Sequence, residues 1–433
     1  MVTNGRIQAQ PGDYVKLSLI KKEYEGVFLE SPKKDKDIIL LKLNSGYNIG
    51  FNKKDVLSIK VISKFKETKE NLELKRDDTK PNIAMIITGG TIGSRLDPKT
   101  GAVSWLDTPE SLFKYVPELF ENVNLSKIEI PFMKGSENMN SGDWIKIAKI
   151  AKKLLDDFNI KGLIITHGTD TLHYTGSALS FFLQNLNKPV VLTYSQRSID
   201  RASSDANLNL QCAAFAAISD IDEVVLVGHA NTNDEYCNVL RGTKVRKLHS
   251  SRRDAFKPVN IGPLATVNAK EKRIVKIEDY NTNNKSKEKI RLDTNFEEKV
   301  ALIKFYPGQD SSILDYYLKN KYKGIVIEML GLGQIATSES KIGWTKKIKE
   351  LINKGVIICA AGQTIFGALN PLVYSTGREL QDTGIIYLRD MLAETAFVKL
   401  GWVLGHKEWA KDKDIVKEKM LTNFVGEFND RLE

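Results

Sequence analysis

Residues 83–94 read I-A-M-I-I-T-G-G-T-I-G-S. The run Ile83 to Ile87 is apolar without alternation, the pattern of a short strand buried on both faces. It passes straight into Thr88, two glycines and Thr91. Glycine lets a backbone turn sharply and lets a substrate approach it. A hydroxyl on such a turn is well placed to act as a nucleophile, although a threonine hydroxyl is inert near neutral pH without a base and a proton path. A second stretch of the same design, G-L-I-I-T-H-G-T-D-T at 162–171, ends a buried strand with Thr169 and the carboxylate of Asp170. Free amides just past a strand can also donate to an oxyanion. Read singly, each stretch is equally a tight strand–helix turn with Thr or Asp as a helix cap. Neither matches the G-x-x-x-x-G-K-[ST] or G-x-G-x-x-G phosphate-binding patterns.

The surrounding chain alternates strands and helices from residue 82 onward. Strands are predicted at 83–87, 162–166, 189–194 and 223–227. Helices are predicted after Ser141, read as a cap, and over 172–186 and 206–218. In the first of these helices Trp144, Ile147, Ala148, Ala151, Leu154, Leu155 and Phe158 form the apolar face. A polar, lysine-rich connection over 270–298 precedes a second α/β run. There, strands are predicted at 299–305, 324–329 and 356–360, and helices near 311–320, 339–353, 389–404 and 411–431. This alternation implies doubly wound parallel sheets with ligands beyond the carboxyl ends of the strands. Before residue 66 the pattern is different: five short Val-, Ile-, Tyr- and Phe-rich segments separated by turn residues predict a small SH3-like β-barrel. The expected organisation is a barrel over 1–65, a charged, partly helical linker over 66–81, an α/β domain over 82–280, a connection over 281–298 and a second α/β domain over 299–433.

The chain has 433 residues, 42% of them hydrophobic and 27% charged, the balance of an ordinary globular protein. No apolar run approaches the roughly 20 residues of a membrane helix. The N-terminus lacks the apolar core of a signal peptide, so a cytoplasmic location is expected. Three distant cysteines argue against a disulfide framework or a thiolate metal site, and five scattered histidines suggest no metal. The net charge is +10, and half of the excess lies in residues 1–80, with 17 Lys and Arg against 12 Asp and Glu. That is the mark of a lysine-rich surface or of a weak contribution to binding an acidic partner such as tRNA.

Four motifs, I-I-T-G-G-T-I-G-S at 86–94, G-S-E-N-M-N at 135–140, T-H-G-T-D-T at 166–171 and K-L-H-S-S-R-R-D-A-F-K-P-V-N-I-G-P-L at 247–264, resemble those of bacterial-type asparaginases in order and spacing. The resemblance implies an asparaginase-like pair of α/β lobes. It makes Thr91 the primary nucleophile, and Thr169, Asp170 and Lys247 a hydrogen-bonded triad. Ser136 and Glu137 would grip the α-carboxylate and α-amino groups of an amino-acid substrate. Gln334, in G-L-G-Q at 331–334, would reach the substrate of a neighbouring protomer, a simple loop being the alternative. In that family a mobile loop after the first threonine often carries an activating tyrosine, and residues 94–103 here hold none.

The barrel with its linker, the stretch 195–210 and the stretch 241–249 further resemble the glutaminase subunits of archaeal glutamyl-tRNA(Gln) amidotransferases, with Ala202 where that pattern has proline. This implies hydrolysis of glutamine or asparagine to release ammonia. A partner of the amidotransferase, GatE, would bind glutamyl-tRNA(Gln), use ATP and Mg²⁺, and accept the ammonia. The chain itself would need no cofactor and would form a homodimer core within a heterotetramer. A free cytoplasmic L-asparaginase with an accessory domain is the alternative, and a non-enzymatic binding module a third reading.

Overall fold

The computed structural model describes residues 9–31, 37–43, 48–64, 77–96, 103–105, 116–201, 203–277 and 288–431. Most of the predicted linker, the loop at 97–102, Ala202 and the start of the predicted interlobe connection lie outside the described residues.

Five antiparallel strands form the first unit: β1 (Tyr14–Ser18), β2 (Glu23–Leu29), β3 (Ile38–Leu43), β4 (Asn48–Asn52) and β5 (Ser58–Ser63), in the order β4-β3-β2-β1-β5. Alternation turns Val15 and Leu17 of β1 inward, onto Ile39, Leu41 and Phe51. A single 3₁₀ turn, Lys53–Asp55, joins β4 to β5. This is the small β domain expected.

The first lobe is built in chain order from β6 (Asn82–Ile87), β7 (Asn124–Glu129), α1 (Ser141–Leu155), β8 (Ile160–Thr166), α2 (Leu172–Phe182), β9 (Val190–Thr193), α3 (Ala206–Ala217), β10 (Val224–His229), β11 (Cys237–Arg241), a hairpin of β12 (Val245–Lys247) and β13 (Phe256–Pro258), then β14 (Ala265–Asn268) and β15 (Arg273–Lys276). The main sheet runs β15-β14-β11-β10-β9-β8-β6-β7. The strands from β7 to β10 are mutually parallel, and the remainder antiparallel. Strands β6 and β8 are neighbours, with Ile87 opposite Thr166. The two threonine turns therefore leave the sheet side by side. The second lobe is a parallel sheet, β16 (Val300–Lys304), β17 (Gly324–Met329), β18 (Ile357–Gly362) and β19 (Ile386–Tyr387), packed by α4 (Thr345–Asn353) and α5 (Ala393–Gly405). No helix among the described residues is long and apolar enough to cross a membrane.

Four local expectations are corrected. The cap of α1 is Asn140, not Ser141: Asn140 accepts from the Asp143 amide and the Asp143 carboxylate accepts from the Asn140 amide. The same helix ends at Leu155, which leaves Phe158 84% exposed and off the apolar face. The helix predicted from 339 starts at Thr345, because 336–344 turns back and Trp344 donates its amide to Ala336. The long last helix is broken: it runs as Lys407–Ala410 and Lys413–Leu421 and then stops. The buried Glu427 carboxylate accepts from the Phe424 and Val425 amides, which a continuing helix would not offer.

Buried ion pairs tie the lobes and this tail together. Lys244 of the first lobe meets Asp390 of the second at 2.5 Å, and Asp390 also accepts from the Asn429 amide. Lys399 on α5 meets Glu427 at 2.6 Å. Removing one member of such a pair strands the other charge. Asp390→Ala is therefore expected to cost about 3–5 kcal/mol in a denaturant titration, and the double change Lys244→Met with Asp390→Leu to recover most of it.

His406, at the end of α5, donates from Nδ1 to the Trp402 carbonyl (2.8 Å) and from Nε2 to Asp293 (3.2 Å). Both partners only accept, so the ring is an imidazolium. Burial acts to lower its pKa, but the bonds to Asp293 and Trp402 outweigh that and raise it. The stabilisation is thus complete below the unfolded value, about 6.5, and is lost as pH rises through the raised folded value. The melting temperature is expected to fall across that alkaline window, and the fall to flatten in His406→Gln.

Candidate active site

The first threonine turn is shaped by what its glycines lack. Gly89 (φ 112°) and Gly90 (φ 77°) are both left-handed. A side chain at Gly89 would lie 2.5 Å from the Lys134 carbonyl, and one at Gly90 2.4 Å from the backbone of Gly168. A side chain at Gly168 would lie 2.7 Å from Ser136 Oγ. Three motifs far apart in sequence thus touch backbone to backbone. Thr88 locks them, donating from Oγ1 to the Thr166 carbonyl (2.8 Å) and accepting at its own carbonyl from the Lys134 amide (3.1 Å).

Together they line one open cleft of about 500 Å³, with Thr91, Ser136, Glu137, Thr169 and Asp170 in its wall. Thr91 begins a 3₁₀ turn, and its carbonyl accepts from Ser94 Oγ (2.6 Å). Among the described residues no hydrogen bond reaches its hydroxyl. Lys247, on β12, donates from Nζ to Thr169 Oγ1 at 2.7 Å and to Asp170 Oδ1 at 2.8 Å. The β12–β13 ladder, which pairs Lys247 with Phe256, holds that lysine in register. The Lys247 side chain is 13% exposed and that of Asp170 63%, so the ammonium is sheltered while the carboxylate keeps its water.

Ser136 sits deeper than a substrate-gripping role alone requires. It is buried, and its Oγ accepts from the Asp170 amide (3.2 Å) while its carbonyl accepts from Thr171 Oγ1 (2.7 Å). It therefore also fixes the second turn. Glu137 faces solvent beside Asn138 (3.2 Å). Gln334 is not in this cleft: it lies in the second lobe, where its Oε1 accepts from Thr376 Oγ1 at 2.7 Å.

Three features went unread in the sequence. Lys134 also lines the cleft, clamped by both oxygens of Asp143 at 2.9 Å. His167 is fully buried behind the second turn, and burial pushes its pKa down to about 4. His173 lies behind Lys247. Burial, followed by the charges of Arg246 and Lys247, pushes it down to about 3. Both rings are neutral near pH 7, which leaves Lys247 the cation at Thr169. No composition signal separates such neutral core histidines from solvated ones. The described residues contain no cluster suited to a metal ion.

The fold and its two-threonine cleft define an asparaginase-like protein. Residues 82–279 match the asparaginase N-terminal domain model and residues 299–418 the glutaminase/asparaginase C-terminal domain model. Among solved structures, the thermostable L-asparaginase from Thermococcus kodakarensis superposes with a TM-score of 0.69 at 26% identity, over 81% of this chain and 100% of that one. L-asparaginase I from Vibrio cholerae gives 0.68 at 27%, over 81% and 99%. The extra N-terminal unit has its own match, over residues 9–62, to the GatD N-terminal domain model. The chain belongs to the GatD family of glutamyl-tRNA(Gln) amidotransferase subunits. It is 44% identical to the GatD protein of Pyrococcus furiosus over 96% of this chain and 94% of the relative, and 42% identical to that of Methanococcus maripaludis strain S2 over 97% and 98%.

The close approach of the loops is open to direct test. Gly90→Ala must displace backbone as well as adopt an unfavourable φ, and is expected to destabilise the chain by about 1–3 kcal/mol. Gly93→Ala has only a flexible Met133 methyl at 3.5 Å nearby and is expected to melt like the parent.

Proposed function

We propose that this chain is the glutaminase component of a tRNA-dependent amidotransferase. The observation that carries the reading is the Lys247 ammonium bridging Thr169 Oγ1 and Asp170 in the cleft that Thr91 lines, in a chain that also bears the GatD N-terminal domain. Thr91 Oγ attacks the side-chain amide of glutamine. Backbone amides near Thr91 and Thr169 hold the oxyanion. Ammonia leaves, and water then cleaves the threonyl ester. Lys247 and Asp170 polarise the Thr169 hydroxyl, which assists the proton transfers as nucleophile partner or water activator. Ser136 and Glu137 take the α-carboxylate and α-amino ends of the substrate. Gln334 approaches the cleft of a second copy in a homodimer. The ammonia passes to GatE, which binds glutamyl-tRNA(Gln) and uses ATP and Mg²⁺, in a cytoplasmic heterotetramer.

Thr91→Ala is expected to cut ammonia release from glutamine by about 1000-fold or more, and Lys247→Met by about 100-fold or more. Turnover of the isolated chain is expected to be slow and to rise when the partner and its tRNA are added. Brisk turnover by the isolated chain, unmoved by either, would instead favour a free L-asparaginase with an accessory domain.

A further inference from the structure

His167 lies at the root of the second threonine turn and touches no group assigned above to substrate. Its ring is enclosed, and each nitrogen has one partner. Nδ1 is 2.7 Å from the Gly168 carbonyl, and Nε2 is 2.8 Å from Thr175 Oγ1 in the first turn of α2. A carbonyl oxygen only accepts, so Nδ1 carries the proton. Nε2 must then accept from the threonine hydroxyl. Thr175 thus selects the tautomer, and the tautomer holds Gly168.

Gly168 is pressed between Gly90 on one side and Ser136 on the other. Those contacts fix where it sits. They do not fix the rotation of the peptide plane between residues 168 and 169, which a glycine can flip at little steric cost. In a trans peptide the carbonyl and the following N–H point in opposite directions. With the Gly168 carbonyl drawn to the buried ring, the Thr169 N–H faces away from it, on the side where Gly168 and Thr169 line the cleft. Among the described residues no acceptor is found for that N–H. A flipped peptide would turn a carbonyl lone pair toward the cleft, where negative charge develops during acyl transfer.

We propose that His167 is a positioning residue, whose Nδ1–H holds the Gly168 carbonyl inward so that the Thr169 N–H stays aimed into the cleft as an oxyanion donor. The inference rests on the two-threonine amidohydrolase reading. It adds that one donor of that site is set by a neutral imidazole and by Thr175 behind it, not by the turn alone.

The test uses the full-length chain, with and without its GatE partner, and follows ammonia release from glutamine. His167→Phe keeps a ring but has no donor. It is expected to lower kcat about 100-fold, the scale of one lost oxyanion donor, with KM within about threefold, since ground-state binding does not use that N–H. His167→Asn places an amide nitrogen near the position of Nδ1 and is expected to restore kcat to within about tenfold of the parent. Side-chain ¹⁵N NMR of the parent, with the His167 signals assigned by their loss in His167→Asn, is expected to show the Nδ1–H tautomer down to about pH 5, above the pKa of about 4. An Nε2–H tautomer overturns the proposal even if both variants fold poorly. So does a folded His167→Phe with parental kcat, or equal kcat in the Phe and Asn variants. Thr91→Ala separates the two layers: if it stays active, the amidohydrolase reading itself fails, whereas an inactive Thr91→Ala beside a fully active His167→Phe removes only the role of His167.

Discussion

Gly90 and Gly168 can touch because neither carries a side chain, and the cleft depends on that contact. It brings the end of β6 against the end of β8, closer than any pair of L-residues with side chains would allow. Ser136 closes the third side by accepting from the Asp170 amide. A catalytic arrangement needs its groups held to within a fraction of an ångström, and backbone contact is stiffer than contact through rotatable side chains. The left-handed conformations of Gly89 and Gly90 are part of the same device, since they turn Thr91 off the strand end immediately.

The lysine enters from another direction. In the run Lys244-Val245-Arg246-Lys247 the two lysines have opposite fates. Lys244 is fully buried against Asp390 of the second lobe, while Lys247 reaches Thr169 and Asp170. The segment that places the site's cation is therefore anchored by an interlobe ion pair, with Arg246 extending the anchor to Glu394 at 3.0 Å on α5. Docking of the lobes and placement of Lys247 are coupled through three residues of chain.

Much of this was legible in the sequence for identifiable reasons. Strands buried on both faces leave uninterrupted apolar runs, so the strands bearing Thr91 and Thr169 could be placed directly. Their adjacency followed from the parallel α/β pattern only in outline; the register of Ile87 with Thr166 required the structure. Lys247 could not be told from Lys244 by residue type, and only the resemblance of the following block singled it out. Asn140 and Ser141 are both good caps, and the choice fell to the reciprocal bond with Asp143. Phe158 fitted the helical spacing but lay past the helix end. Glu427 and His167 were invisible because what defines them is burial among partners distant in sequence, which no local pattern encodes.

The central claim is that Thr91 forms the covalent bond to substrate while Thr169 assists. Incubating the chain with a glutamine analogue that carries a diazoketone in place of its side-chain amide, followed by digestion and mass spectrometry, tests this most directly. The account predicts one adduct per chain, on Thr91, and none when Lys247 is replaced by methionine. An adduct on Thr169, or on a residue outside the cleft, would contradict it.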